Sequence, residues 1–131
     1  MFDIVVRETL YENPLDGPAS IEDFIFEGSG VPSFSMGCLR LDHLIDPGQG
    51  QAANIVFWCP ENFPDHVRIT WDFRPIREPG LAILFFSAVG HGGKDLCDPT
   101  LQPRSGPYEQ YHHGDLDALH VSYFRRKAPT E

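Results

Sequence analysis

The sequence has few of the residues that mark disulfide-bonded, metal-binding or membrane proteins. Its 131 residues include only three cysteines, with no CxxC pair and no zinc-finger spacing. Because Cys38, Cys59 and Cys97 stand among apolar or turn residues, we expect buried thiols without a disulfide. No apolar run approaches the ~20 residues that span a bilayer, and the N-terminus lacks the features of a secretory signal. We therefore expect a cytoplasmic protein that does not enter membranes.

Positive charge is also scarce in this chain. Ten Lys and Arg residues stand against nineteen Asp and Glu residues, which gives a net charge of −9. A nucleic-acid-binding protein usually presents a basic face, and the one basic cluster here is the run Arg125, Arg126 and Lys127. Nucleic acid and anionic membrane surfaces are therefore not expected as partners.

Turn-forming residues are abundant: twelve glycines and twelve prolines are spread along the chain. This distribution, without a repeat or an amphipathic helix, is typical of short strands joined by turns. One helical turn is expected at Ser20–Asp23, with Ser20 as its cap. We predict an all-β antiparallel sandwich or jelly roll, formed by residues 1–131 as a single domain. Its seven predicted strands are Ile4–Tyr11, Phe24–Gly28, Ser33–Asp42, Asn54–Cys59, His66–Arg74, Leu81–Val89 and Ala118–Arg126.

The strand predicted at His66–Arg74 has the clearest alternation of apolar and polar residues. One predicted face is apolar and packs on the core, and the opposite face places Arg68, Asp72 and Arg74 in a row on the surface. The next strand, Leu81–Val89, is apolar on both faces, which predicts a central strand covered on both sides.

The long polar segment Gly90–Asp117 joins the last two predicted strands. A connection of about 28 residues is usually functional or disordered. This segment holds three of the six histidines and four aspartates, and its tyrosines argue against disorder. We predict an ordered loop that forms part of a site.

Four motifs resemble the YesU-like family, bacterial proteins described as a domain of unknown function: FWCPE (57–61), TWDF (70–73), the loop residues Tyr111, His112, Gly114 and Asp115, and SYFRRK (122–127). The match runs from about Tyr11 to Lys127. The resemblance implies a concanavalin A-like (lectin/glucanase) jelly roll, in which a concave sheet often forms a sugar-binding cleft, and it implies rhamnogalacturonan use for the namesake. Family members continue beyond the last motif, so we expect the chain to match their N-terminal part and the jelly roll to be incomplete at its C-terminus.

These features predict a carbohydrate-active protein, either a glycoside hydrolase or a lyase acting on plant cell-wall, rhamnogalacturonan-type oligosaccharides. Hydrolysis needs two carboxylates, about 5–5.5 Å apart for retention or 6.5–9.5 Å for inversion. Elimination from a uronate needs a cation beside the substrate carboxylate and a His or Tyr that moves the proton. The predicted catalytic residues are Asp72, Tyr111, His112 and Asp115. The predicted substrate-binding residues are Trp58, Glu61, Arg68, Arg74 and Tyr123.

Several alternatives remain open at the level of sequence. Asp72 between two arginines is also typical of a surface ion pair, Trp71 of a core residue, and His120 of a structural histidine. A non-catalytic sugar-binding protein and an assembly partner, such as a homo-oligomer formed through open sheet edges, are the rival functions. No cofactor is expected. Calcium is an alternative because Asp95, Asp98, Asp115 and Asp117 are hard oxygen ligands, and zinc through His91, His112 and an aspartate is a weaker one.

Overall fold

The computed structural model of the chain describes residue 5 and residues 8–126, and these residues form strands with little helix. This content confirms the all-β class. The described residues hold six strands and one short α-helix: β1 (Ile25–Gly28), β2 (Gly30–Ser35), β3 (Cys38–His43), β4 (Ile55–Trp58), β5 (Gly80–Gly90), α1 (Glu109–His112) and β6 (Leu116–Arg126). They also hold three short 3₁₀ helices, Pro18–Ile21, Pro47–Ala53 and His91–Gly93. No helix in this part of the chain has the length and apolarity needed to cross a membrane.

The strands pair as three two-stranded antiparallel sheets within the described residues: β1 with β4, β2 with β3, and β5 with β6. The chain divides into two compact units, residues 1–70 and residues 71–131. The first unit therefore contains the β1–β4 and β2–β3 sheets, and the second contains the β5–β6 sheet. A single domain over residues 1–131 remains a prediction.

The first unit is held by aromatic packing and one close approach between its two sheets. The Phe57 ring lies 5.0 Å from that of Phe24 and 5.6 Å from that of Phe26. At Gly30, at the start of β2, an added Cβ would lie 2.6 Å from both Ile55 Cγ2 and Phe26 Cζ. Only glycine lets β2 approach the β1–β4 sheet this closely.

A hairpin replaces the single strand predicted at Ser33–Asp42. Met36 and Gly37, between β2 and β3, have φ angles of 53° and 74°, and two such residues form the tight turn that joins antiparallel strands. A helical turn is present, but it begins two residues before the predicted one and has a different cap. It begins one residue after Gly17, and Ser20 lies inside it, with its hydroxyl donating to the Gly17 carbonyl.

The second unit is built on β5 and β6, two strands of eleven residues each. Their pairing shifts register twice, between Ala82 and Ile83 and between Phe86 and Val89. Ser87, in the second irregularity, has a φ of 51°, as expected where an extra residue bends a strand. The expectation of a covered central strand at 81–89 is wrong, because within the described residues β5 pairs with β6 alone.

The segment His66–Arg74 forms no strand, although its alternation is the strongest in the sequence. Its apolar residues Val67, Ile69, Trp71 and Phe73 are 40–48% exposed. Alternation states which side chains share a face, but a strand also needs a neighbour to complete its hydrogen-bond ladder. No described residue pairs with this segment, so the predicted strand is wrong.

Two further expectations are corrected in part. In the predicted strand Ile4–Tyr11, the described residues 5 and 8–11 form no strand, while residues 4, 6 and 7 lie outside the described part of the chain. All three cysteines are described and none forms a disulfide, as expected, but Cys38 and Cys97 are exposed and Cys59 is half-buried. The turn residues around the exposed cysteines leave them at the surface.

Candidate functional site

Tyr108, His112 and His120 form an exposed group of polar rings beside the β5–β6 sheet, which we call the Tyr-His cluster. The Tyr108 hydroxyl lies 3.1 Å from His120 Nε2, within hydrogen-bond distance. The rings of Tyr108 and His112 stack at 5.3 Å with an interplanar angle of 23°. The ring centroids of His112 and His120 lie 6.4 Å apart, and the two ring planes are nearly perpendicular. The cluster thus presents a hydroxyl, several ring nitrogens and flat ring surfaces in one place.

The short helix α1 positions this cluster. Tyr111 is only 3% exposed, and its ring packs 5.4 Å from that of Phe85 on β5. Phe85 pairs with His120 across the sheet, so anchoring Tyr111 places α1 over His120. Tyr108 and His112 are four residues apart, which makes them neighbours along one helical turn.

The loop between β5 and β6 is ordered by its own hydrogen bonds, as predicted. Asp115 Oδ2 accepts from the Gln102 amide at 2.8 Å, and the Asp115 carbonyl accepts from the His91 amide at 2.8 Å. Gln110 Oε1 accepts from the Ser105 amide at 2.6 Å. These bonds tie the middle of the loop to its ends.

The aspartates in the first half of the loop close local turns. Asp95 Oδ1 accepts from the Cys97 amide, and Asp98 Oδ1 accepts from both the amide and the hydroxyl of Thr100. The hydrogen bonds from Thr100 stabilise the ionised carboxylate and so lower the pKa of Asp98 below its ordinary value. Asp-initiated turns of this kind are common in loops.

The predicted catalytic residues of the second unit take different positions. His112 belongs to the Tyr-His cluster, and Tyr111 is the buried anchor beneath it. The carboxylate of Asp115 is engaged with the loop backbone. Asp72 is exposed in the extended segment before β5, and no hydrogen bond or ion pair of the described residues joins it to the cluster.

Two predicted substrate-binding residues also lie in the second unit. The Tyr123 ring packs edge-on against the rings of Trp71 at 5.2 Å and Phe73 at 5.0 Å. Arg74, which follows Phe73 in the sequence, is exposed. Trp71, expected in the core, is instead half-exposed in this aromatic group.

The remaining predicted substrate-binding residues lie in the first unit. Trp58 is 7% exposed, and its Nε1 donates to Glu27 Oε1 at 2.8 Å. A sugar-stacking platform needs an exposed ring face, so the burial of Trp58 is at odds with that role and gives it a packing role. Glu61 and Arg68 are exposed.

Sequence reasoning missed Tyr108 as a site residue and interpreted His120 as structural. The spacing of Tyr108 and His112 was a usable signal, since residues four apart share a face of a helical turn. The placement of His120 opposite Phe85 had no such signal, because it depends on the register between two strands far apart in the sequence.

No three His, Cys, Asp or Glu side chains of the described residues are grouped as metal ligands. His91, proposed as a zinc ligand with His112, instead lies 3.2 Å from Asp117 Oδ1. The grouping of His91, His112 and an aspartate that the weaker zinc alternative requires is therefore not formed among the described residues. Calcium at the loop aspartates remains an alternative, with Asp95, Asp98 and Asp115 engaged in the backbone bonds described above.

The chain is a β-rich protein. Its structure is similar to a solved Bacillus subtilis structure described as a protein of unknown function with a galectin-like fold. The similarity has a TM-score of 0.84 at 50% sequence identity, and it covers 92% of this chain and 53% of that chain. This supports the sandwich architecture, and the concanavalin A-like type of jelly roll remains a prediction.

The chain belongs to the family described as a domain of unknown function, DUF1961, whose model matches residues 8–131. It is 51% identical over 122 residues to the uncharacterized protein YesU of Bacillus subtilis strain 168. The matched region covers 93% of this chain and 53% of that protein. The chain thus spans about half the length of the curated relative it matches. The predicted family and the partial match are both confirmed.

Proposed function

We propose that this chain binds carbohydrate through the Tyr-His cluster. The observation that carries the proposal is an exposed, hydrogen-bonded Tyr108–His120 pair with His112 stacked beside it, in a chain similar to a protein with a galectin-like fold. The name of that fold refers to sugar-binding proteins, and this part of the argument is analogy.

The chemistry of the cluster suits a sugar ring. A pyranose has hydroxyl groups around its edge and C–H groups on its faces. The Tyr108 hydroxyl and the imidazole nitrogens donate or accept hydrogen bonds with hydroxyl groups, while the ring surfaces pack against C–H groups. Ser122 follows His120 by two residues on β6 and is exposed, so it adds a hydroxyl on the same face of the sheet.

We take the ligand to be a plant cell-wall oligosaccharide of the rhamnogalacturonan type, as the family resemblance implies. The test is calorimetric titration of the chain with rhamnogalacturonan-derived oligosaccharides. His120→Asn and His112→Asn are expected to weaken binding at least tenfold, about 1.4 kcal/mol. His66→Asn is the matched control. His66 lies in the other unit with a φ of 60°, a conformation that Asn tolerates, so binding should not change.

Binding that survives both cluster substitutions would place the site elsewhere and reject this proposal. So would the failure of every oligosaccharide in the series to bind. Circular dichroism spectra that match those of the unsubstituted chain would establish that a loss of binding is not a loss of fold.

A lyase is the second candidate function, because Tyr108 and His120 form a pair suited to proton transfer. In elimination from a uronate, a base removes the proton beside the carboxyl group and an acid protonates the leaving oxygen. Hydrolysis draws less support, since the carboxylate of Asp115 already accepts a backbone hydrogen bond. Incubation with the same oligosaccharides separates the cases: ultraviolet absorbance of an unsaturated product supports elimination, new reducing ends without it support hydrolysis, and binding without either rejects both enzymes.

A further inference from the structure

The two faces of the β5–β6 sheet differ in what covers them. Paired residues of neighbouring strands point to the same side of a sheet. The pair Phe85 and His120 therefore marks the face that carries α1 and the Tyr-His cluster. The pairs Leu84–Val121 and Phe86–Leu119 point to the opposite face and are apolar, and the pair Val89–Asp117 adds one carboxylate at the end of that face.

This opposite face is exposed to an unusual degree for its composition. Leu119 is 58% exposed, and Val121 and Val89 are each 45% exposed. Phe73 extends the surface at one end, because its ring packs 5.6 Å from that of Phe124 and 5.0 Å from that of Tyr123. We call this surface the apolar patch; it comprises Trp71, Phe73, Val89, Leu119, Val121 and Tyr123. Contiguous exposed apolar surface of this kind marks an interaction site.

The edges of the same sheet also lack neighbouring strands in the part of the chain that the structure describes. Within the described residues, β5 and β6 each pair with one strand only, although each is eleven residues long. An isolated two-stranded sheet is marginally stable in water, and its outer edges present rows of unpaired amides and carbonyls. A partner that covers the apolar patch and supplies strands would satisfy both surfaces.

The solved relative contains further polypeptide beside the matched part. The matched part covers 53% of the solved relative and superposes with a TM-score of 0.84. In that protein the same architecture therefore exists together with nearly as much additional polypeptide. We propose that the apolar patch is the docking surface for a polypeptide equivalent to the part of these relatives that this chain does not cover. The patch lies on the face opposite the Tyr-His cluster, so this proposal does not depend on sugar binding.

The test is co-expression of this chain, carrying an affinity tag, with the untagged part of Bacillus subtilis YesU that lies outside the match. We expect the two polypeptides to co-purify in equal amounts. Leu119→Glu places a charge in the apolar patch and should reduce recovery of the untagged part at least tenfold. Leu44→Glu is the matched control, since Leu44 is 71% exposed in the first unit and should leave recovery unchanged.

Val121→Thr provides a milder second variant, which replaces one methyl group of the patch by a hydroxyl and should weaken the complex without altering the circular dichroism spectrum of the chain. Three results would overturn the proposal: no co-purification with the unsubstituted chain, equal recovery with Leu119→Glu and Leu44→Glu, or a mass of two copies of the chain that Leu119→Glu reduces to one. The last result would assign the patch to a second copy of this chain.

Discussion

Trp58 and Trp71 are the two tryptophans of the chain, and they have opposite surroundings. Trp58 is buried and its Nε1 donates to the carboxylate of Glu27, whereas Trp71 is about half exposed and contacts the edge of the Tyr123 ring. The first residue therefore contributes to stability through a hydrogen bond to a charged group, while the second mainly contributes surface.

We predict that Trp58→Phe lowers the free energy of unfolding by about 1.5–3 kcal/mol, the range for hydrogen bonds to charged groups. Trp71→Phe is the matched control and should change it by less than about 0.5 kcal/mol, as is usual for surface positions. Urea denaturation followed by circular dichroism measures both. Equal losses of unfolding free energy in the two variants would mean that the Trp58–Glu27 hydrogen bond does not add to stability.

Asp98 accepts hydrogen bonds from both the amide and the hydroxyl of Thr100. Thr100 lowers its pKa in the folded chain, so the group stabilises the fold above the pKa of the unfolded chain, about 3.9. This stabilisation is lost as the pH falls through the lower, folded pKa. We predict that Thr100→Ala raises the pKa of Asp98, because it removes one of the two bonds from Thr100. A side-chain NMR titration measures the pKa, Thr70→Ala is the control, and an unchanged midpoint in Thr100→Ala would contradict the assignment.

At the scale of elements, the long loop and α1 act together. The loop is fastened at Asp115, and α1 then holds the Tyr-His cluster against β6 through the contact of Tyr111 with Phe85. The role of Asp115 therefore decides whether the loop is a scaffold for the site or supplies a catalytic carboxylate.

We predict that Asp115→Ala lowers the free energy of unfolding by about 0.5–1.5 kcal/mol, the net contribution of one hydrogen bond. The amide of Gln102 should also exchange its hydrogen faster, which hydrogen-exchange NMR detects at that residue. Asp117→Ala is the control, because its side chain is 70% exposed beside His91 and surface ion pairs contribute little. Normal exchange at Gln102 in Asp115→Ala would reject the scaffold role.

Some of the strands and turns could be predicted from the local sequence, and others could not. β5 and β6 were predicted within two residues at each end, because their composition favours strands and Gly, Pro and Asp bound them. The stretch His66–Arg74 has better alternation than either and forms no strand, since no described neighbour completes its ladder. The hairpin at Met36–Gly37 was missed because its tight turn needs positive φ angles at both residues, and a Met-Gly pair does not indicate such a turn.

At the scale of the whole molecule, charge bears on the proposed ligand. A net charge of −9 repels polyanions at long range. Salt screens this repulsion, because the Debye length is about 10 Å at 0.1 M salt. The site itself is built from hydroxyl groups and imidazoles rather than from a cluster of Lys and Arg side chains.

We predict that affinity for a uronate-bearing oligosaccharide rises as salt is increased from about 10 to about 150 mM, because screening removes long-range repulsion. Affinity for a neutral oligosaccharide of equal length should stay constant. Calorimetry at three salt concentrations measures both. If uronate affinity falls with salt, a local cationic contact outweighs the net charge, and Arg74 becomes the residue to substitute.

The sequence by itself determined the β-rich class, the strands that flank the long loop, the family and the sign of the charge, because each depends on composition or on contiguous motifs. Only the tertiary structure decided which residues meet. Tyr108 and His120 lie twelve positions apart and come together because Tyr111 buries its ring against Phe85. Likewise, Trp58 is buried and Trp71 is not, although both stand in predicted strands. Burial and contact depend on a neighbouring strand and its register, and those are set by pairings between distant segments that a local pattern does not contain.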